Sequence, residues 1–122
     1  MFFHVSRGTR YLPFTYLRVI NAGIITSQSF AILFDDNDKQ TVYNAGYYLK
    51  TKFARTLIRC TTDEICVTSP IRFKLLPVQD FTSNSEIDWS QAISDIDQQL
   101  YKKYGLTQEE IDYIEKTIKP ME

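Results

Sequence analysis

Four consecutive short polar side chains, Asp35-Asp36-Asn37-Asp38, constrain this chain more than any other feature, because the hydrophobic period changes across them. Short carboxylates and amides accept hydrogen bonds from the free N–H groups of a first helical turn and favour its positive end, so the run predicts a helix start. Before it, Tyr11-Leu12, residues 14–20 and residues 29–34 are dense in aromatic and β-branched side chains, punctuated by Pro13 and Asn21-Ala22-Gly23. These stretches read as strands, with 29–34 buried on both faces. After it, Val42, Gly46, Leu49, Phe53 and Leu57 recur at helical spacing, which predicts one long helix over about 37–59. Leu49, Phe53 and Leu57 are its expected core residues.

Residues 60–63 read as a loop, and Arg72-Phe73-Lys74-Leu75-Leu76 as a short extended run ended by Pro77. The polar stretch 81–86 reads as a flexible linker. Two short helices follow. Trp89, Ile93, Ile96 and Leu100 form one stripe, and Gly105 stands where a left-handed C-cap belongs. Thr107-Gln108-Glu109-Glu110 has the pattern of a capping box, with Leu106 and Ile111 spaced as a hydrophobic staple and Pro120 ending the helix. The expected fold is therefore α+β: a small, mostly antiparallel sheet from residues 1–34 and 72–76, packed by one long helix and followed by a C-terminal helical hairpin. The expected division is a body over 1–81 and an acidic linker with a two-helix tail over 82–122, the tail either packing back or standing apart.

Much chemistry is excluded. Hydrophobic residues at 43% and charged residues at 24% give a globular balance, not a disordered one. Cys60 and Cys66 make no disulfide framework, and His4 is the single histidine, so zinc lacks its four closely spaced ligands. Asp36 and Asp38 begin like a calcium loop, but no Gly follows at the sixth position and no Glu at the twelfth. Gly8, Gly23, Gly46 and Gly105 are scattered, so there is no phosphate-cradling glycine loop, and no nucleophile has a base beside it. No catalytic residue, metal or cofactor is expected. Asp95 with Asp97, and Glu109 with Glu110, read as solvated helix faces. The N-terminus lacks the charged and apolar regions of a signal peptide, and the longest apolar stretch, 19–34, is interrupted by Asn21, Thr26, Ser27, Gln28 and Ser29. These features exclude a membrane partner and predict a cytoplasmic protein with reduced thiols.

Charge is divided unevenly. Through Asp80 there are ten Lys and Arg against six Asp and Glu; from Phe81 onward there are four Lys against nine acids. A basic part beside an acidic tail points to a polyanion-facing surface. Lys52, Arg55 and Arg59 share one helix face, with Lys50 close to the apolar arc. With Arg7, Arg10 and Arg18 they form the candidate phosphate-contacting set, and Tyr47 and Tyr48 are the candidate rings for stacking on or contacting bases. A solvated face with core tyrosines accounts for the same pattern. In the tail, Trp89, Tyr101 and Tyr104 form an aromatic stripe that is the candidate partner-binding surface, or core if the tail docks on its own body.

Two segments are distinctive. One is Leu76-Pro77-Val78-Gln79-Asp80-Phe81-Thr82-Ser83-Asn84-Ser85-Glu86-Ile87-Asp88-Trp89-Ser90. The other runs Ile96-Asp97-Gln98-Gln99-Leu100-Tyr101-Lys102-Lys103-Tyr104-Gly105-Leu106-Thr107-Gln108-Glu109-Glu110-Ile111 and on to Glu115. Together they resemble the C-terminal end of bacterial restriction-modification proteins of the adenine-N6 DNA methyltransferase and restriction-enzyme type, and Tyr48-Leu49-Lys50-Thr51-Lys52-Phe53-Ala54-Arg55 is similar to the helix leading into it. The resemblance covers roughly residues 28–122. The family's Asn-Pro-Pro-Tyr methylation motif, glycine-rich cofactor loop and nuclease acids are absent. The resemblance thus implies a non-catalytic, DNA-contacting, target-recognition-like module of a bacterial defence system. Its implied partners are double-stranded DNA and methyltransferase or restriction subunits, and it carries over no base contact to any residue. The alternative is a protein-interaction module, such as a subunit-docking domain or an inhibitor of a DNA-targeting defence enzyme.

Overall fold

Among the described residues three strands precede Asp36: β1 (Phe2–Arg7), β2 (Phe14–Ile20) and β3 (Phe30–Asp35). The structure, a computed structural model, describes residues 2–7, 14–20, 23, 30–59 and 76–120. Tyr11-Leu12, Cys60, Cys66 and residues 72–75 lie outside the described residues. β1 pairs antiparallel with both other strands, in the order β2-β1-β3. Its register sets Phe2 opposite Ile20 and Val5 opposite Leu17 on one side, and Phe2 opposite Asp35 and Val5 opposite Ala31 on the other. The central strand is the one the sequence pattern did not single out, and the chain combines strands and helices.

The long helix expected over 37–59 is two helices, α1 (Lys39–Lys50) and α2 (Lys52–Arg59). Asp38 caps α1 as its position requires, its carboxylate accepting from the Thr41 amide at 2.9 Å and the Thr41 hydroxyl at 2.6 Å. The break falls at Thr51, whose ψ of 151° is extended. Thr51 closes one helix and opens the next. Its N–H and hydroxyl both donate to the Tyr48 carbonyl, and its Oγ1 accepts from the Ala54 amide in the first turn of α2. Val42 and Ala45 on α1 pack against Val19 and Phe34 of the strands.

Two helices close the described chain, α3 (Ile93–Lys103) and α4 (Gln108–Thr117). Gly105 between them has φ +63°, the left-handed geometry that glycine adopts without a Cβ penalty. Thr107 and Glu110 form the expected capping box, and Leu106 and Ile111 both pack on the core. The hairpin packs back: Tyr48, Phe53 and Ala54 share one apolar cluster with Ile87, Trp89, Ile96, Leu100, Tyr101, Ile114 and Ile118. Leu49 and Phe53 are buried as expected, while Leu57 is only half-buried.

The stretch expected as a flexible linker is fastened instead. The Asn44 amide donates to the Phe81 carbonyl at 2.8 Å, and the Trp89 indole donates to the Asp80 carbonyl at 2.9 Å. The Phe81 ring lies among Phe34, Tyr48 and Trp89. Asp80 and Asp88 each fold the chain locally by accepting from the amide and hydroxyl two residues on. No described helix is long and apolar enough to cross a membrane.

Candidate anion-binding site at the helix joint

Asp97, expected on a solvated face, is 2% exposed. It sits on α3 opposite the first turn of α2. Its Oδ2 accepts from the Lys52 amide at 3.0 Å and its Oδ1 from the Phe53 amide at 2.9 Å. A helix's first N–H groups have no partner within the helix, and here a carboxylate from a distant helix supplies one. Burial pushes the Asp97 carboxyl up to about 6, with the Glu115 charge adding and the two N–H bonds and Lys52 opposing. A carboxyl near neutrality in a cavity is a candidate acid or base. Both of its oxygens, however, are engaged by backbone amides, so its role is to cap.

The basic face expected of Lys52, Arg55 and Arg59 is not a free surface. Arg55 is 1% exposed. Its Nε donates to the Lys50 carbonyl at 3.2 Å and its Nη2 to the Lys119 carbonyl at 2.6 Å, while Nη1 is buried without a partner. Burial lowers the Arg55 pKa, against the nearby Asp97. Arginine nonetheless stays protonated in proteins. Lys52 pairs through Nζ with Glu115, whose other oxygen accepts from the Tyr101 hydroxyl at 3.0 Å. Burial, reinforced by Asp97 and Glu115, pushes the Tyr101 hydroxyl well above its ordinary range. Arg59 ends α2, partly buried.

The break at Thr51 brings three of the predicted basic residues together all the same. Lys50, Lys52 and Arg55 line one cavity of about 340 Å³ with Ser94 and Asp97. Ala92, Ile93 and Pro120 complete its wall. Sequence spacing missed Ser94, and missed Asp97 as anything but a surface acid.

The other predicted site residues are placed differently. Tyr48 is interior: its hydroxyl donates to the Pro77 carbonyl at 3.1 Å and its ring meets Trp89 edge-on, so it cannot stack on a base. Trp89 and Tyr101 are 3% and 1% exposed and belong to the core, not to a partner surface. Tyr104 is partly exposed, with its ring stacked on Phe53 and its hydroxyl accepting from Gln79 Nε2 at 2.6 Å. Arg7 stands opposite Phe14 and Arg18 opposite His4 in the strand register. Arg10 lies outside the described residues.

A second cavity of about 450 Å³ lies between α2 and α4. Phe53, Leu57, Leu106, Tyr113 and Ile114 line it, together with Glu109 and Glu110. Tyr113 is 61% exposed. Among the described residues no three His, Cys, Asp or Glu side chains gather where they could share a metal ion. Comparison with known protein families, with curated proteins and with solved structures gives no match.

Proposed function

We propose that this chain is a non-catalytic DNA-contacting module of the kind that closes restriction-modification proteins, acting in the cytoplasm on double-stranded DNA beside methyltransferase or restriction subunits. In this reading the architecture is α+β, with an antiparallel sheet under α1 and a helical hairpin behind α2. One observation carries it: Lys50, Lys52 and Arg55 converge on a single cavity, and Asp97, which caps the helix that carries Lys52 and Arg55, belongs to the segment that resembles that family. The resembling segment supplies Phe81, Trp89, Ile96, Leu100 and Tyr101 to the interior, so its pattern has a structural rationale as a platform for the basic end of α1 and α2. Phosphate contact then comes from the joint between the helices, not from an open helix face.

The test is fluorescence anisotropy with duplex and single-stranded probes across salt. Duplex affinity should fall steeply with salt, and Lys50→Gln should reduce the slope of log affinity against log salt by about one. Absence of duplex binding at low salt refutes the reading.

A second reading, a subunit-docking module, is favoured by the apolar cavity between α2 and α4. Its exposed Tyr113 and its two carboxylates suit a basic amphipathic segment of a partner. A partner captured equally well by a Tyr113→Ser, Leu106→Ser variant counts against it.

A further inference from the structure

We infer that the cavity at the α1–α2 joint is an oxyanion site that takes one phosphate group, an inference that rests on and deepens the DNA-contacting reading. Three independent features converge on it. The first is Arg55 Nη1. It is buried in a residue lining the cavity and has no hydrogen-bond partner. A buried donor left unpaired is costly, and more so on a charged group, so its environment calls for an acceptor that the protein does not provide.

The second feature is the start of α3. Asp38 caps α1, Thr51 and Asp97 cap α2, and Thr107 caps α4. Ala92, in the same position on α3, has no side chain that can accept. Among the described residues the amides of Ile93 and Ser94 find no acceptor, and both residues line this cavity. An unsatisfied helix N-terminus is a natural place for an anion.

The third feature is charge. Lys50 has no ion-pair partner among the described residues, and with Lys52 and Arg55 it gives three cations against two carboxylates, Asp97 and the Glu115 that pairs with Lys52, which leaves one positive charge over. The Asp97 carboxylate is turned to the Lys52 and Phe53 amides. The volume of about 340 Å³ accommodates a tetrahedral oxyanion with its nearest waters, each of which occupies about 30 Å³ in the liquid. Guanidinium, ammonium and helix N–H groups together are the donor set that phosphate recognition uses. A backbone phosphodiester and free phosphate share this chemistry.

The experiment titrates the ¹⁵N-labelled chain with inorganic phosphate, against chloride at equal ionic strength, and separately with a short DNA duplex. It reads the Ile93 and Ser94 amides and the Arg55 side-chain N–H signals. Saturable phosphate-specific shifts at these groups are expected, with affinity falling about 3-fold or more in Lys50→Gln for the loss of one charge-assisted contact. Because Arg55 variants risk unfolding, Lys50→Gln is the primary variant, its fold checked by Trp89 fluorescence. If phosphate shifts these groups and the duplex does not bind at all, the oxyanion site stands and the DNA reading falls. If phosphate leaves them unmoved while the duplex binds elsewhere on the chain, the site is overturned and the DNA reading survives. Equal responses to phosphate and chloride overturn the site as well.

Discussion

Substituting Asp97→Asn separates the cap from the charge. In the folded chain, burial moves this carboxyl from its ordinary 3.8 up to about 6, so the folded state holds the proton more tightly than the unfolded one. A raised carboxyl contributes stability that is full below its unfolded value and is lost as pH rises through its folded value. A shift of this size corresponds to about 3 kcal/mol lost between roughly pH 4 and pH 7. The amide introduced by Asp97→Asn does not titrate and keeps one carbonyl oxygen for the Lys52 and Phe53 amides. At pH 4 the variant should be less stable than wild type by about 1–3 kcal/mol, the cost of an N–H left unaccepted. By pH 8 the difference should move in the variant's favour by about 3 kcal/mol, closing or reversing the gap. Asp38, Asp80 and Asp88, whose hydrogen bonds lower their pKa values, titrate alike in both proteins and drop out of the comparison. Urea unfolding followed by Trp89, the single and buried tryptophan, gives the stabilities. A gap that is constant with pH, or that widens towards pH 8, would show that the amides and Arg55 outweigh burial, and would overturn the raised carboxyl.

Other outcomes follow from packing and capping. Leu100 is fully buried in the cluster that joins the two helix pairs, so Leu100→Ala should cost about 2–5 kcal/mol by urea unfolding. Gly105→Ala meets no atom within 4 Å, so its cost is backbone strain alone, about 1–2 kcal/mol in the same assay. Asp38→Ala removes both bonds to Thr41 and should lower the urea midpoint and lose some helical circular dichroism.

What the sequence pattern revealed and what it hid divide along a physical line. Local chemistry was legible: the Asp38 cap, the Thr107–Glu110 box and the Gly105 turn each depend on residues within a few positions. The break at Thr51 was not, because threonine interrupts no 3.6-residue period and one of its two causes is a carboxylate 45 positions from the Lys52 amide that it accepts from. Asp97 was hidden for the same reason. On α3 the buried arc is Ile96, Asp97, Leu100 and Tyr101, and an acid in that arc reads as surface unless its partner is known. The face assigned to Lys52, Arg55 and Arg59 presumed a straight helix. With α2 starting anew at the Asp97 cap, Arg55 turns inward to the Lys50 and Lys119 carbonyls. The aromatic stripe of Trp89 and Tyr101 was ambiguous between partner surface and core, and packing of the hairpin against α1 and α2 makes it core.

The capped joint shapes the candidate site, and native-state hydrogen exchange at the first turn of α2 reads that joint amide by amide. First-turn amides of a helix usually exchange fast, because nothing within the helix accepts from them. The Lys52 and Phe53 amides, bound to Asp97, and the Ala54 amide, bound to Thr51, should be protected to the level of core amides. The Ile93 and Ser94 amides at the uncapped start of α3 serve as the fast internal reference. If Lys52 and Phe53 exchange as fast as Ile93 and Ser94, the joint does not exist as described, and the cavity it shapes falls with it.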